Sequence, residues 1–249
     1  MPKVLVSDKL SEPAVQIFRD NGVDVDFLPD VGKDTEKLLE IIGQYDGLAI
    51  RSATKVTEKI IEAADNLKVV GRAGIGVDNV DIPNATAKGI IVMNTPFGNS
   101  ITTAEHAISM MLALARQIPA ADVSTRAGKW EKSKFMGVEV TAKTLGIIGC
   151  GNIGAIVADR AQGLKMKVIA FDPFLTPERA LDLGVEKVEL DELLARADFI
   201  SLHTPLTDAT RGIISAENIA KMKNGARLVN CARGGLVDEV ALKDALESG

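Results

Sequence analysis

Two cysteines, two histidines, one tryptophan and one tyrosine are all that the 249 residues hold of those types, and aromatics together make up 4%. With only Cys150 and Cys231 present, a disulfide framework is excluded and a reducing compartment is expected. No metal site is expected either. Long apolar runs are missing: the longest, Ala107 to Ala115, is already broken by Ser109, far below the roughly 18 residues a membrane span needs. A surplus of basic charge is missing too. Lys and Arg number 29 against 34 Asp and Glu, a net charge of −5. That argues against a dedicated binder of nucleic acid, while leaving room for a local basic pocket that holds one small anion. Strand-like Val4-Leu5-Val6 lies so close to the start that no signal peptide is expected. A soluble, cytoplasmic protein is the expectation.

What is present is an ordinary globular balance, 46% hydrophobic and 25% charged with 22 glycines, so disorder and collagen-like composition are out. At roughly 150 residues per domain, the length suits one large or two small domains. Short β-branched runs alternate with longer helical patterns, the rhythm of an α/β protein with parallel sheets. In the first part, strands are expected at Val4–Ser7, Val23–Phe27, Leu48–Arg51, Val69–Arg72 and Ile90–Asn94. Between them lie amphipathic helices at Glu12–Asn21, Thr35–Gly43 and Thr57–Ala64. A doubly wound, flavodoxin-like unit fits this pattern. The stretch Asn94-Thr95-Pro96-Phe97-Gly98-Asn99 reads as a linker. Thr102-x-x-Glu105 reads as a capping box that opens a long apolar helix through Ala115. The rhythm then restarts with strands at Leu145–Gly149, Lys167–Phe171, Lys187–Leu190, Phe199–His203 and Arg227–Cys231. The expected boundary divides the chain into 1–98 and 99–249.

Gly149-Cys150-Gly151-Asn152-Ile153-Gly154 is a G-x-G-x-x-G that follows a strand and opens a helical run at Ala155–Gln162, the context a dinucleotide site requires. Gly149 permits the tight turn, Gly151 lets the backbone approach a pyrophosphate, and Gly154 lets helix and strand pack closely. The helix N-terminus adds N–H donors and partial positive charge. Asp172 ends the next strand, placed to accept hydrogen bonds from ribose hydroxyls and to repel a 2′-phosphate. With no adjacent Arg, the pattern favours NAD over NADP. The bland alternative is a structural glycine turn beside a surface Asp.

Arg233, in Asn230-Cys231-Ala232-Arg233-Gly234-Gly235, follows a strand, where the carboxyl ends of an open α/β sheet face the ligand crevice. A guanidinium there can grip a carboxylate at any working pH. Thr204 also ends a strand and suits the cofactor wall. In the first part, Arg51-Ser52 and Arg72 take equivalent positions, and Gly74-Ile75-Gly76 can form an anion nest. Two arginines at strand ends suit a doubly anionic substrate; otherwise each is one exposed arginine among many. His106 is expected as a packing or interface residue, His203 as a residue lining or packing near the cofactor, and neither as the catalytic acid. Cys150 and Cys231 read as small hydrophobes.

Six segments together carry a resemblance: Val69–Asp81, Asn94–His106, Gly128–Gly137, Gly149–Gly154 with Asp172, His203–Thr207, and Asn230–Glu239. On them the chain resembles the D-isomer-specific 2-hydroxyacid dehydrogenases, and within that family the branch acting on 3-phosphoglycerate. The resemblance implies a flavodoxin-like substrate domain followed by a Rossmann NAD domain. It implies oxidation of 3-phosphoglycerate to 3-phosphohydroxypyruvate, opening L-serine synthesis. Arg233 would orient the substrate's carboxylate and carbonyl. Asn152 and Ile153 would meet the pyrophosphate, Asp172 the adenosine ribose, and Thr204, Cys231 and Ala232 the rest of NAD. Arg51, Ser52, Arg72, Gly74, Ile75 and Asn99 would surround the substrate. A homodimer or higher homo-oligomer is implied, with Lys132 reaching a partner's site. The family's acid–base His and its orienting Glu lie C-terminal to the Arg-Gly-Gly segment, beyond Gly249. The chain is therefore expected to be a truncated form lacking the C-terminal part of the Rossmann domain. Other D-2-hydroxyacid substrates, such as glyoxylate, formate or lactate types, stay open. So does a catalytically silent NAD-binding or interaction protein of the same fold.

Overall fold

Among the described residues there are ten short strands, all paired in parallel, most of them built on short apolar runs bounded by turn residues. The computed structural model describes residues 1–248 and divides into two compact units, Met1–Asn99 and Ser100–Gly249. The first unit runs β1 (Lys3–Val6), α1 (Glu12–Asp20), β2 (Asp24–Phe27), α2 (Thr35–Ile41), β3 (Gly47–Ile50), α3 (Glu58–Ala63), β4 (Val69–Arg72), α4 (Ile82–Ala87) and β5 (Ile91–Asn94). Its strand order is β2-β1-β3-β4-β5, the flavodoxin-like order, in which β1 and β3 flank the point where the winding reverses. Every residue of β3 is buried, as a parallel strand covered on both faces must be. Its Leu48 and Ile50 join Leu5, Ile60 and Val70 in the core.

The second unit opens with α5 (Ser100–Arg116) and α6 (Ile118–Arg126), then β6 (Thr144–Ile148), α7 (Asn152–Gly163), β7 (Lys167–Phe171), α8 (Pro177–Asp182), β8 (Glu186–Lys187), α9 (Leu190–Arg196), β9 (Phe199–Leu202), α10 (Ala216–Ala220), β10 (Arg227–Asn230) and α11 (Glu239–Ser248). The order β10-β9-β6-β7-β8 is the Rossmann arrangement, with the winding reversed between β6 and β9. One face packs Leu145, Ile147, Val157, Ala158 and Phe199 with Ala104, Ala107 and Met111 of α5. The opposite face packs Ile148, Ile169, Leu193, Ile200 and Leu202.

The expected strands all form, most within one residue of their expected ends. Three local expectations are corrected. The eighth strand is only Glu186–Lys187, and Leu190, expected to end it, is the first residue of α9. Helix α5 begins at Ser100, so Thr102 and Glu105 lie inside the helix and cannot form a capping box across its start. Helix α7 likewise starts at Asn152 rather than Ala155, which brings its N-terminus directly onto the glycine turn.

Candidate functional site

The glycine turn is dictated by steric demands that differ at each position. Gly149 has φ +91°, a left-handed conformation that side-chain-bearing residues avoid. A Cβ there would lie 2.8 Å from the backbone of His203 and Thr204, so β6 and β9 approach closely at the reversal point only because this residue is glycine. A Cβ on Gly154 would stand 2.2 Å from the Gly149 carbonyl oxygen. Gly151 is different: its φ is −74° and a Cβ would meet nothing within 4 Å. No neighbouring protein atom requires a glycine at this place. The bare, exposed backbone leaves room for an external group, at the start of a 12-residue helix with no side-chain cap. Such an end favours phosphate oxygens. The residues present therefore fit a dinucleotide.

Asp172 follows β7, and its carboxylate is fixed from two sides. Oδ2 accepts the Cys150 N–H at 2.8 Å and Oδ1 accepts the Phe174 N–H at 2.8 Å. A carboxylate has about four lone-pair sites, so two hydroxyls can still be received. Burial pushes the Cys150 thiol up to about 11, and raises that of Cys231 as well. Both stay protonated near neutral pH, in keeping with their expected apolar role.

A cleft of about 610 Å³ in the same unit is lined by Thr102, Thr103 and His106 of α5 and by residues 230–234. Asn230 shapes the latter segment: its Oδ1 accepts the Ala232 N–H at 3.0 Å and its Nδ2 donates to the Arg233 carbonyl at 2.8 Å. Arg233 is half-buried, with Nη1 donating to the Ala232 carbonyl at 2.9 Å. Cys231 and Ala232 share this cleft. His106 does too, and its side chain is exposed, so of the packing and interface roles expected for it the packing one is excluded. His203 faces inward instead. Its Nε2 bonds Ser201 Oγ at 2.8 Å, its Nδ1 is buried with no protein partner, and desolvation pushes its pKa down to about 4. A neutral, buried imidazole of this kind is a poor proton shuttle.

In the first unit, Arg51 and Ser52 are exposed just after β3, and the Arg51 guanidinium donates to the Lys9 carbonyl at 3.3 Å. Arg72 ends β4 and turns its Nη1 onto the Gly76 carbonyl, packing over Gly74. The Gly74 N–H donates to the Arg72 carbonyl at 2.9 Å, so the nest expected at residues 74–76 is left with the amides of Ile75 and Gly76. The carbonyls of Gly74 and Ile75 are tied to Thr95 N and Asn94 Nδ2 at 3.0 and 2.6 Å. Asn99 and Lys132 are both exposed. Sequence reasoning passed over Asp8 and Asn79, which turn out to hold the Arg51 loop.

The family profile of the D-isomer specific 2-hydroxyacid dehydrogenase NAD binding domain matches residues 108–249. Among curated proteins, D-3-phosphoglycerate dehydrogenase of Archaeoglobus fulgidus is 50% identical over 247 residues, covering 99% of this chain and 46% of that protein. The chain thus spans about half the length of the curated relatives it matches. Among solved structures, a glyoxylate reductase from Paecilomyes thermophila superposes with a TM-score of 0.91 at 35% identity, covering 99% of this chain and 78% of that one. A D-lactate dehydrogenase from Aquifex aeolicus, solved with NAD and lactic acid, gives 0.87 at 28% identity, covering 99% and 74%. Among the described residues no helix is long and apolar enough to cross a membrane.

Proposed function

Because the chain belongs to the D-isomer-specific 2-hydroxyacid dehydrogenases, with residues 108–249 matching their NAD-binding domain, we propose that it is part of an enzyme that oxidises D-3-phosphoglycerate to 3-phosphohydroxypyruvate with NAD. By its product, that reaction opens L-serine synthesis. The observation that carries the cofactor half is Gly151, whose missing side chain no protein contact explains. Half-identity to a protein named D-3-phosphoglycerate dehydrogenase over 99% of the chain supports the substrate half.

Held at the glycine turn and Asp172, NAD would supply the hydride acceptor for oxidation of the substrate's hydroxyl-bearing carbon. The chain's own residues bind and orient. The first turn of α7, with Asn152 and Ile153, offers N–H groups to the pyrophosphate, while Asp172 receives the adenosine ribose. Thr204, Cys231 and Ala232 line the remainder. Arg233 holds the carboxylate and aligns the carbonyl that forms, its planar fork fixing direction as well as charge. In the substrate-binding unit, residues 1–98 by this reading, Arg51 and Ser52 take the phosphate end, with Arg72, Gly74, Ile75 and Asn99 around them. Proton transfer is assigned to neither histidine of this chain, in line with the family's use of a His and a Glu beyond the Arg-Gly-Gly segment. The enzyme works in the cytoplasm as a homo-oligomer, Lys132 reaching toward a partner.

The test is NADH formation by the intact protein from 3-phosphoglycerate beside lactate and glycolate. The expected result is turnover of the phosphorylated acid with a KM that Arg51→Ala raises. Equal use of lactate, insensitive to Arg51→Ala, would favour another D-2-hydroxyacid. NAD binding without turnover of any acid would favour the silent interaction protein.

A further inference from the structure

The loop Arg51-Ser52-Ala53-Thr54 leaves the sheet where β1 and β3 diverge, and it is held almost wholly through its backbone. The Asp8 carboxylate, 2% exposed just after β1, uses Oδ2 to accept the Arg51 N–H at 2.5 Å and the Thr54 N–H at 3.2 Å. Asn79, after the 74–76 turn, does the complementary thing. Its Nδ2 donates to the Arg51 carbonyl at 2.7 Å and the Thr54 carbonyl at 2.6 Å. Both the donor and the acceptor of the loop's first and last residues are thereby fixed. Below it, Thr54 Oγ1 bonds Ser7 Oγ at 2.8 Å, and both side chains are buried. Only Arg51, Ser52 and Ala53 project outward.

The two clamps are chemically specific. Asp8 acts as an acceptor alone, through Oδ2, and Asn79 as a two-fold donor, through Nδ2. An ion pair depends steeply on where the guanidinium stands, and a displacement of about 1 Å in a binding contact can lower a rate on the order of 100-fold.

We propose that Asp8 and Asn79 are positioning residues for substrate: they fix the backbone of residues 51–54 so that Arg51 and Ser52 meet the anionic end of the molecule in one geometry. The proposal rests on the reading of Arg51 and Ser52 as substrate ligands.

The experiment compares Asn79→Asp, Asp8→Ala, Asp8→Asn and Arg51→Ala in the intact protein, by steady-state kinetics and by amide hydrogen exchange. Asn79→Asp keeps the size but loses both donors. It should raise the KM for 3-phosphoglycerate on the order of tenfold or more, leave the KM for NAD unmoved, and speed exchange at residues 51–54 while β1 and β3 stay protected. Asp8→Ala should do the same, and Asp8→Asn, which still presents an oxygen to the two N–H groups, should rescue most of the loss. If Arg51→Ala raises the KM but Asn79→Asp and Asp8→Ala do not, the positioning role is wrong. Lost protection throughout β1 and β3 would also overturn it, because the residues would then be holding the unit and not the loop. If Arg51→Ala itself leaves the KM unmoved, the substrate reading fails instead, whatever the exchange data show.

Discussion

The carboxylate of Asp172 and the backbone N–H of Cys150 are joined at 2.8 Å, tying the end of β7 to the middle of the glycine turn. The acidic group therefore stands in position before any nucleotide arrives. A 2′-phosphate brought to the same place meets a fixed like charge, which costs several kcal/mol when it cannot move away. The intact protein should bind NADH more tightly than NADPH by on the order of tenfold or more. Asp172→Ser should narrow that ratio in a fluorescence titration. Equal affinities in the unaltered protein would contradict the assignment.

Two of the turn's glycines, Gly151 and Gly154, should separate by readout. Gly151→Ala places a methyl in open space at an ordinary φ, so stability should change by less than about 1 kcal/mol while NADH affinity falls sharply. Gly154→Ala drives a Cβ against the Gly149 carbonyl and should destabilise by about 1–3 kcal/mol. Thermal melts beside NADH titrations distinguish the two. A Gly151→Ala protein that binds NADH normally would remove the main structural support for the cofactor site.

His203 gives the second unit a predictable acid arm. Its folded pKa of about 4 lies below the ordinary 6.5 because burial disfavours the charged ring. The unfolded chain therefore binds the proton first as pH falls, and the folded state loses stability between about pH 6.5 and 4. Above pH 6.5 the contribution is complete. The full swing is on the order of 3 kcal/mol. His203→Gln, which keeps an amide beside Ser201, should flatten this slope when melting temperatures are compared at pH 7.5 and 5. An unchanged slope would mean that other groups carry the acid sensitivity.

Arg233→Lys should lower kcat/KM for 3-phosphoglycerate on the order of 100-fold with little change in NADH binding, since an ammonium cannot reproduce a planar two-pronged grip. Activity near that of the unaltered protein would remove Arg233 from the reaction.

Much of this architecture was legible because parallel strands buried on both faces leave short apolar runs between glycine and polar turns. Gly47–Ile50 and Phe199–Leu202 are such runs. The errors lie where a local pattern admits two outcomes. Val188-Glu189-Leu190 reads as strand, yet Leu190 opens a helix whose buried face is made by Leu193 and Leu194. Thr102 and Glu105 have capping-box spacing, but Ser100 already begins the helix. Of the candidate site, the glycine turn and Asp172 could be read because their partners are close in sequence or at a known interval. Asp8 and Asn79 could not, for their partners lie 25 to 46 residues away and a lone Asp or Asn has no spacing to betray it. The one available signal was place: Asp8 follows β1, beside the reversal of winding.

The tethers of the Arg51 loop all end on main-chain atoms, except for the buried pairing of Thr54 with Ser7. Apart from the Arg51 guanidinium's own bond to the Lys9 carbonyl, nothing in them depends on which side chains occupy positions 51 to 53. Such a mounting is interchangeable: the three outward residues can be replaced as a cassette while the backbone keeps its course. A designer can vary positions 51 to 53 while leaving Asp8, Thr54 and Asn79 untouched.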